Sequence, residues 1–323
     1  MLTFGPVPSR RLGRSIGINS IPPKTCSYSC VYCQIGRTTV FTSNRSSFFK
    51  PREIGKALEE RMEKVQSCGE SIDYVTFVPD GEPTLDENLS EARRIVKQFG
   101  FPTAIITNAS LMGKDEIRED LAGFDLVSLK VDSAIPEVWL HIDRPHPSLQ
   151  LDAILEGSLV FARNYKGKLL TETMLVRNLN DTEESLRTTA EHIGKLKPHC
   201  AYLSIPTRPP MEKWVEHPTA RSLLRAFSLF SVNIERTELL TGYEGNAFAY
   251  TGDPEADILD ITAVHPMRRD AVEDLITRSG AEWGLINDLL RRGKIRKASW
   301  EGQDFYIRTP VNGKEEDPDR EDF

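Results

Sequence analysis

Three of the five cysteines in this chain lie within the short segment TCSYSCVYCQ. Their spacing, C-x3-C-x2-C at Cys26, Cys30 and Cys33, brings three thiols onto one loop. Thiolates that converge in this way share a metal ion or an iron–sulfur cluster, because soft sulfur ligands suit zinc and iron. We expect Cys68 and Cys200, which stand alone in the sequence, to be lone buried or half-buried thiols.

Zinc and an iron–sulfur cluster differ in the number of protein ligands that they need. A structural zinc ion takes four ligands, normally with a second pair further along the chain, and no CxxC or HxxxH follows Cys33. A 4Fe–4S cluster takes one external ligand at each iron. Three cysteines therefore leave one iron open for a substrate or a cofactor. The pattern admits both occupants and fits the cluster better, since no acidic residue between the cysteines competes for iron.

Apolar strand patterns and helical periodicities alternate along most of the chain. This alternation implies a parallel sheet with right-handed crossovers. Six strand–helix units are fewer than the eight of a closed barrel. The predicted fold is therefore α/β, a partial (β/α)6 TIM-like barrel. The predicted strands are 15–19, 72–78, 102–108, 124–132, 168–176 and 200–206, and the predicted helices are 51–66, 87–100, 114–123, 149–165 and 181–196.

Polar residues at the carboxyl ends of these strands are the next candidates for chemistry, because the sites of such folds form there. After the second strand comes PDGEPTL, where Gly81 allows a close turn and Glu82 offers a carboxylate. Asn108 ends the third strand and can both donate and accept hydrogen bonds. A simple turn at PDGE and a capping role for Asn108 are the structural alternatives. Side chains alternate between the two faces of a strand. This alternation places Ser128, Lys130 and Asp132 on one face of the fourth strand, and Glu172 and Met174 on one face of the fifth.

The segment CSYSCVYC resembles the C-x3-C-x-aromatic-C signature of the radical S-adenosylmethionine (radical SAM) superfamily. The resemblance extends over about residues 5–240. It implies a 4Fe–4S cluster held by Cys26, Cys30 and Cys33, with SAM bound at the open iron. It also implies reductive cleavage of SAM to methionine and a 5′-deoxyadenosyl radical, which abstracts hydrogen from a substrate that the sequence does not identify. A one-electron donor of the flavodoxin or ferredoxin type is the implied partner.

The same resemblance suggests which residues bind the cofactor. Tyr32 is the aromatic residue of the signature. PDGE resembles the GGE-type motif that holds the SAM amino group, which implies that role for Gly81 and Glu82, although Asp80 replaces a small residue of the motif. Asn108 and Ser128 would contact the ribose or head group. Lys130 would contact the SAM carboxylate. Glu172 would touch SAM or substrate, and Met174 would lie beside them or only pack.

Four segments resemble the branch of the superfamily that is grouped with wyosine-synthesising enzymes of tRNA. They are 5–19, 144–157, 204–210 and the PDGEPT segment, 79–84. Those enzymes carry an auxiliary cluster held by cysteines upstream of the main triad, whereas no cysteine precedes Cys26 here. Wyosine-type tRNA modification is therefore an alternative function and not the favoured one. In the second segment, His146 lies between two prolines and is a candidate proton carrier.

Arginines near these segments can be interpreted in two ways. These arginines are Arg10, Arg11, Arg144 and Arg208, and together with His146 they are candidates to line a site for an anionic substrate. The alternative is that they are surface arginines. We expect Arg10 and Arg11 to lie at the surface.

A second unit is predicted after residue 240. Residues 241–253 have the composition of a linker, and three helices followed by a hairpin at 254–310 predict a winged-helix-like domain. Such domains bind nucleic acids or proteins. The segment 291–297, RRGKIRK, is basic, but acids balance the bases over the whole unit. A docked tRNA, a docked peptide or protein, and simple packing therefore all remain open. The acidic residues 311–323 predict a disordered tail.

The overall composition is that of an ordinary soluble protein. Net charge is −7, the pI is about 5.6 and mean hydropathy is −0.38, so no strongly basic footprint for nucleic acid exists. No apolar run is long enough for a membrane span, and the amino terminus lacks the apolar core of a signal peptide. We expect a cytoplasmic protein with reduced thiols and no membrane partner.

Two rival functions come from other classes of protein. A winged-helix regulator that binds zinc or an iron–sulfur cluster would bind nucleic acid without consuming SAM. An electron-transfer iron–sulfur protein would cycle its cluster and leave Glu82 and the polar strand ends without a role. Cleavage of SAM distinguishes both from a radical SAM enzyme.

Overall fold

The computed structural model describes residues 2–242, 248 and 250–309. The predicted linker at 241–253 lies partly outside these residues. The predicted acidic tail at 311–323 lies wholly outside them.

One eight-stranded sheet organises the first 240 residues. Its strand order is β1-β2-β5-β6-β7-β8-β9-β10, with β1 antiparallel to β2 and every later neighbour parallel. The short strands β3 and β4 form a separate parallel pair. In chain order the strands are β1 (Thr3–Ser9), β2 (Gly13–Ile18), β3 (Thr25–Cys26), β4 (Val40–Phe41), β5 (Tyr74–Phe77), β6 (Thr103–Thr107), β7 (Leu126–Lys130), β8 (Lys168–Met174), β9 (Cys200–Ser204) and β10 (Thr237–Leu240).

Seven helices accompany this part of the chain. They are α1 (Pro51–Ser67), α2 (Leu89–Lys97), α3 (Asp115–Ala122), α4 (Pro136–Asp143), α5 (Leu151–Asn164), α6 (Glu183–Leu196) and α7 (Ala220–Asn233). A single 3-10 turn, Pro83–Leu85, follows β5. The mixed α/β architecture with a parallel sheet confirms the predicted fold class.

All six predicted strands and all five predicted helices are present, but the sheet is larger than predicted. β1 was missed because it contains Pro6 and Pro8, which are tolerated only at the edge of a sheet, where β1 lies. At the other edge, β10 is a four-residue strand with a weak apolar pattern. Helices α4 and α7 were not predicted either.

The two faces of the sheet differ in chemistry. The helix-facing side carries the main apolar core, which includes Phe77, Ile105 and Val127. The opposite, concave side holds an apolar layer near the amino ends of the strands, and polar residues follow nearer the carboxyl ends. The turn between β1 and β2 contributes to this layer, which therefore forms a floor. Its buried members are Leu12, Ala104, Leu126, Leu170, Cys200 and Tyr202, together with Leu240 from the carboxyl end of β10.

The two lone cysteines have different environments. Cys200 is buried in the floor, as expected for a thiol that behaves as a small apolar side chain. Cys68 is exposed at the end of α1, so the prediction that it is buried or half-buried was wrong. The helix directs its apolar stripe inward, and residue 68 lies beyond its last turn.

The C-terminal residues form a second apolar core. In chain order the elements are α8 (Pro254–Val264), β11 (Met267–Arg268), α9 (Arg269–Ser279), α10 (Gly284–Arg291), β12 (Ile295–Trp300) and β13 (Gln303–Arg308). The three predicted helices and the hairpin are observed, and β11 adds a third strand beside β13. The assignment of this unit as a winged helix stays a prediction.

An ion-pair network joins this unit to the sheet. Arg61 of α1 pairs with Asp260 of α8 and lies 3.8 Å from the Oδ1 atom of Asp257. Among the residues that the structure describes, no helix is both long and apolar enough to cross a bilayer.

The close approach of α5 to the segment after β6 generates a stability prediction. A Cβ atom at Gly157 would lie 2.0 Å from the carbonyl oxygen of Met112, a backbone atom that cannot move aside alone. Gly157→Ala should therefore destabilise the fold by about 1–3 kcal/mol, the usual cost of overpacking. Thermal unfolding without oxygen measures this effect.

Gly284→Ala is the matched control. A Cβ atom there meets nothing within 4 Å, so its melting temperature should stay at or above that of the wild type. An unchanged melting temperature for Gly157→Ala would contradict the close packing of α5.

Candidate active site

The loop that carries the three cysteines begins at β3, beyond the carboxyl end of β2. Backbone hydrogen bonds connect one side of this loop to the end of α4. The backbone N–H of Val31 donates to the carbonyl of Ile142 at 2.9 Å, and that of Ser29 to the carbonyl of Asp143 at 3.0 Å. The N–H of His146 donates to the carbonyl of Ser27 at 2.8 Å. Backbone bonds therefore fix the shape of the loop independently of its side chains.

Helix α4, which sequence reasoning missed, thus positions the site. It begins at Pro136, with Glu137 in its first turn, and both are signals of a helix start. These signals were available in the sequence. Its role against the cysteine loop was not, because that contact joins segments more than a hundred residues apart.

The PDGE segment is bonded to the other side of the cysteine loop. The N–H of Glu82 donates to the carbonyl of Thr25 at 3.1 Å, and the N–H of Lys24 donates to the carbonyl of Asp80 at 2.6 Å. A Cβ atom on Gly81 would lie 2.0 Å from the Thr25 carbonyl oxygen. Glycine is therefore required here by the approach of two backbones.

Glu82 is almost completely buried, and both oxygens of its carboxylate accept hydrogen bonds. Its Oε1 atom accepts from the Thr84 N–H at 3.0 Å and from the hydroxyls of Thr84 and Thr107 at 2.6 Å each. Its Oε2 atom accepts from the N–H of Asn108 at 2.7 Å. Burial raises the pKa of Glu82, and these bonds oppose the rise. The predicted binding of the SAM amino group stays a prediction.

Asn108 contacts the cysteine loop directly. Its Nδ2 atom donates to the Oγ atom of Ser27 at 3.1 Å and to the Sγ atom of Cys26 at 3.6 Å. Its Oδ1 atom accepts from the N–H of Ser110 at 2.9 Å. The side chain therefore caps the following turn, as the structural alternative predicted, and also reaches the first cysteine. Its contact with the ribose or head group of SAM stays a prediction.

The three cysteine residues are half-buried, and their surroundings oppose ionisation. Burial raises the pKa of Cys26 to about 12, and the charges of Glu82 and Cys33 add to this effect. Burial also raises the pKa of Cys30, assisted by Asp143 and Cys26, and that of Cys33. Thiolates at these positions therefore need a strongly positive partner.

An iron–sulfur cluster fits the chemistry of this donor set, because one loop carries three soft thiol ligands and a cationic iron centre would offset the charge that each thiolate disfavours in its neighbours. Among the described residues, no group of three His, Cys, Asp or Glu side chains is arranged with metal-binding geometry. Ligation by Cys26, Cys30 and Cys33 therefore stays a prediction.

Tyr32 ties the cysteine loop to the carboxyl end of β7. Its hydroxyl donates to the carboxylate of Asp132 and lies 3.3 Å from the Oδ1 atom of Asp143. Burial, followed by the charge of Asp132, raises the pKa of Tyr32, so the hydroxyl keeps its proton and remains a donor. The thiol of Cys30 lies 3.4 Å from the Oδ1 atom of Asp143. Sequence reasoning missed Asp143, and no signal in the sequence marks it.

The predicted polar face of β7 is observed. The Nζ atom of Lys130 lies 3.6 Å from the Oε1 atom of Glu172 and 4.7 Å from the ring centroid of Tyr32. Burial by itself lowers the pKa of Lys130, but the negative charges of Asp132 and Glu172 outweigh this effect. The net result is a raised pKa, so the ammonium stays charged. The hydroxyl of Ser128 is buried and, in the described part of the chain, has no hydrogen-bond partner.

The side chain of Arg11 lies on the concave side of the sheet and not at the protein surface. It is only 15% exposed and pairs with Glu172 of β8, whose Oε1 atom also accepts from Ser204 at 3.0 Å. The expectation of a surface arginine was therefore wrong. The physical reason is that the turn between β1 and β2 folds into the floor, which is a long-range contact. Arg10 instead donates to the carbonyl of Gly242.

Met174 and His146 are the remaining predicted site residues. Met174 packs in an apolar cluster with Val31 and Tyr32, and its N–H donates to the Oδ1 atom of Asp132 at 2.7 Å. The imidazole of His146 bonds to the Oγ atom of Ser148 at 2.9 Å. The proton-carrier role of His146 stays a prediction.

A small cavity lies behind the cysteine loop. Its volume is about 10 Å³, and it is lined by Tyr28, Asn108, Lys130 and Asp143, among others. This is room for about one water molecule. A nucleoside ligand on this side therefore requires side chains to move.

Comparison with known proteins identifies the family. The model of the radical SAM superfamily matches residues 20–192, which is more than half of the chain. The chain belongs to the radical SAM superfamily. It is 47% identical over 309 residues to the UPF0026 protein MJ1312 of Methanocaldococcus jannaschii, covering 95% of this chain and 96% of that protein.

Two solved structures share the fold. The structure of TYW1 with a lysine-pyruvate adduct bound matches with a TM-score of 0.53 at 18% identity, covering 68% of this chain and 74% of that one. A radical SAM methyltransferase from Sphaerobacter thermophilus matches with a TM-score of 0.52 at 12% identity, covering 77% and 69%. The predicted superfamily is confirmed, and the protein is an enzyme of the radical SAM class. That class works with a 4Fe–4S cluster, SAM and a reductant.

Asp80 generates a pH-dependence prediction. Its Oδ1 atom is buried without a partner among the described residues, and burial raises its pKa to about 7, with Lys24 opposing the rise. The folded state keeps this proton to higher pH than the unfolded state, whose pKa is about 3.9. The stability that Asp80 contributes is therefore present below about pH 4 and is lost as pH rises through about 7.

Asp80→Asn removes this loss of stability. The difference in melting temperature, variant minus wild type, should therefore be larger at pH 8 than at pH 5. Thermal unfolding of the anaerobic protein at both values measures the difference. Glu59→Gln, at an exposed position on α1, is the control. An equal shift for Asp80→Asn at both pH values would show that Asp80 is ionised throughout.

Proposed function

We propose that Cys26, Cys30 and Cys33 hold one 4Fe–4S cluster whose open iron binds SAM. When bound and reduced, the cluster supplies one electron that cleaves SAM to methionine and a 5′-deoxyadenosyl radical, which takes hydrogen from a substrate in the concave side of the sheet. The observation that carries this proposal is the cysteine loop, bonded on two sides at the carboxyl edge of a parallel sheet. A cytoplasmic location, where thiols stay reduced, is part of the proposal.

The residues around the loop then have separable roles. Asn108 and Ser128 offer hydrogen bonds toward the nucleoside, and the buried hydroxyl of Ser128 would gain a partner there. Lys130 would exchange Glu172 for the SAM carboxylate, which is a comparable charge-assisted interaction. Arg11 would keep Glu172 paired during that exchange. The apolar floor excludes water from below and so protects a reactive radical.

The identity of the substrate is less constrained. The likeness to TYW1 is at the level of the fold, at 18% identity. Wyosine-type modification of tRNA is therefore not the favoured activity. A hydrogen donor of another class fits the single predicted cluster equally well, because a shared fold does not determine the substrate.

The C-terminal unit is the proposed docking site for a macromolecular substrate, either a tRNA or a peptide or protein. Its basic segment is already largely neutralised. Arg292 pairs with Glu255 at 2.6 Å, Arg291 with Asp288 at 3.0 Å and Lys297 with Asp304 at 2.7 Å. Ion-paired side chains have less charge to offer to phosphates. This pattern favours a peptide or protein.

Cleavage of SAM tests the proposal. The anaerobically reconstituted protein should contain about four irons per chain. With dithionite and SAM it should form 5′-deoxyadenosine. Replacing Cys26, Cys30 or Cys33 by Ala should abolish both, since each supplies one of three ligands, whereas Cys68→Ala, at an exposed position, should change neither.

Other outcomes point to the rival functions. Stoichiometric zinc with tight, salt-dependent nucleic-acid binding would indicate a regulator. A cluster that is reduced and reoxidised without SAM cleavage would indicate an electron carrier. Either result contradicts the proposal.

A further inference from the structure

Charge is distributed very unevenly along this acidic protein. All 48 Asp and Glu residues lie after residue 52, although the whole chain has a net charge of −7. The first 52 residues contain only basic charges, and they include the entire cysteine loop. These bases are Arg10, Arg11, Arg14, Lys24, Arg37, Arg45, Lys50 and Arg52.

Two of these bases lie beside the cysteine loop. A Cβ atom on Gly36 would lie 3.2 Å from the Nζ atom of Lys24, so this ammonium lies over Gly36. Arg37 is the next residue and is exposed. The backbone carbonyl of Lys24 accepts from the N–H of Val40 at 3.1 Å, which joins this basic segment to β4.

Strand β4 presents two apolar side chains to solvent. Val40 is 50% exposed and Phe41 is 41% exposed. The ring of Phe41 lies 5.2 Å from that of His146. Leaving two large apolar groups in water costs free energy that a binding partner would recover. Lys24, Arg37, Val40, Phe41 and His146 together form what we call the cysteine-loop surface.

This surface lies directly outside the first cysteine. Strand β4 pairs in parallel with β3, and Phe41 is the register partner of Cys26. The N–H of Thr42 donates to the carbonyl of Cys26 at 3.1 Å. The backbones of Phe41 and Cys26 are therefore separated by only one strand spacing, about 4.8 Å. Enzymes of this class need a reductant, and this position offers a short path for an electron.

We propose that the cysteine-loop surface docks a small acidic one-electron carrier protein of the flavodoxin or ferredoxin type. This inference rests on the proposed function. An apolar centre with a basic rim matches the usual plan of a protein interface, and the charge attracts an acidic partner. One electron passes from the reduced carrier to the thiolate-bound cluster, the carrier is oxidised by one electron, and no covalent bond forms or breaks.

The test compares a protein reductant with a chemical one. Arg37→Glu and Phe41→Ser should each weaken binding of an acidic flavodoxin to the reconstituted enzyme by about tenfold or more, because they reverse a rim charge and remove the apolar anchor. The rate of 5′-deoxyadenosine formation with reduced flavodoxin should fall in parallel. With dithionite, which needs no docking surface, the rate should stay within about twofold of the wild type.

The matched controls lie on α7. Arg221→Glu reverses an exposed charge, and Leu224→Ser removes an apolar side chain that is 64% exposed. Neither should alter flavodoxin binding or either rate. Binding of the wild type should also weaken with salt, and Arg37→Glu should reduce that dependence.

Each remaining outcome is decisive. Unchanged flavodoxin binding in both variants overturns the docking surface, and so does an equal loss of the flavodoxin and dithionite rates, which would show that the residues act on the cluster. Salt-dependent RNA binding that is lost in the variants, with no loss of flavodoxin binding, would assign the surface to nucleic acid. Absence of dithionite-driven cleavage in the wild type would refute the proposed function, while the binding measurements would still decide the surface.

Discussion

The arrangement of the site depends on backbone hydrogen bonds that hold the cysteine loop from two sides. The end of α4 binds it through Ile142 and Asp143, and the PDGE segment binds it through Thr25 and Lys24. Three thiols in a half-buried loop resist ionisation and would repel one another as thiolates. The energy that keeps them together before any metal binds must therefore come from other groups. Main-chain bonds supply it without using the side chains that chemistry needs.

Buried carboxylates extend this support into the concave side of the sheet. Glu82 connects the segment after β5 to the end of β6, and Asp132 connects Tyr32 to β8. Glu172 is held by Arg11 and Lys130. Each carboxylate has donors or cations around it, as burial requires. Together they link the cysteine loop to four neighbouring strands of the sheet.

A further connection reaches the C-terminal unit. Arg208, in the segment after β9, donates to the Oε1 atom of Gln34 at 2.7 Å and also contacts His265. Gln34 follows Cys33 directly in the sequence. One arginine therefore joins the cysteine loop to the residue that ends α8. The second apolar core is in this way structurally connected to the site, and the interdomain ion pairs of Arg61 lie on a different path.

The sequence by itself determined the cysteine spacing, the alternation of apolar strands with helices and the polar residues at the strand ends. These features are local: a loop motif, a two-residue period and a 3.6-residue period can each be recognised within a short window. Ser128, Lys130 and Glu172 were predicted because alternation along a strand specifies which face a side chain occupies. Only the tertiary structure decided that Arg11 pairs with Glu172, that Asp143 lies beside Cys30 and that Gly81 is pressed against Thr25. Each of these contacts joins segments that are far apart in the chain, and a local pattern carries no information about which distant segment will be packed against it.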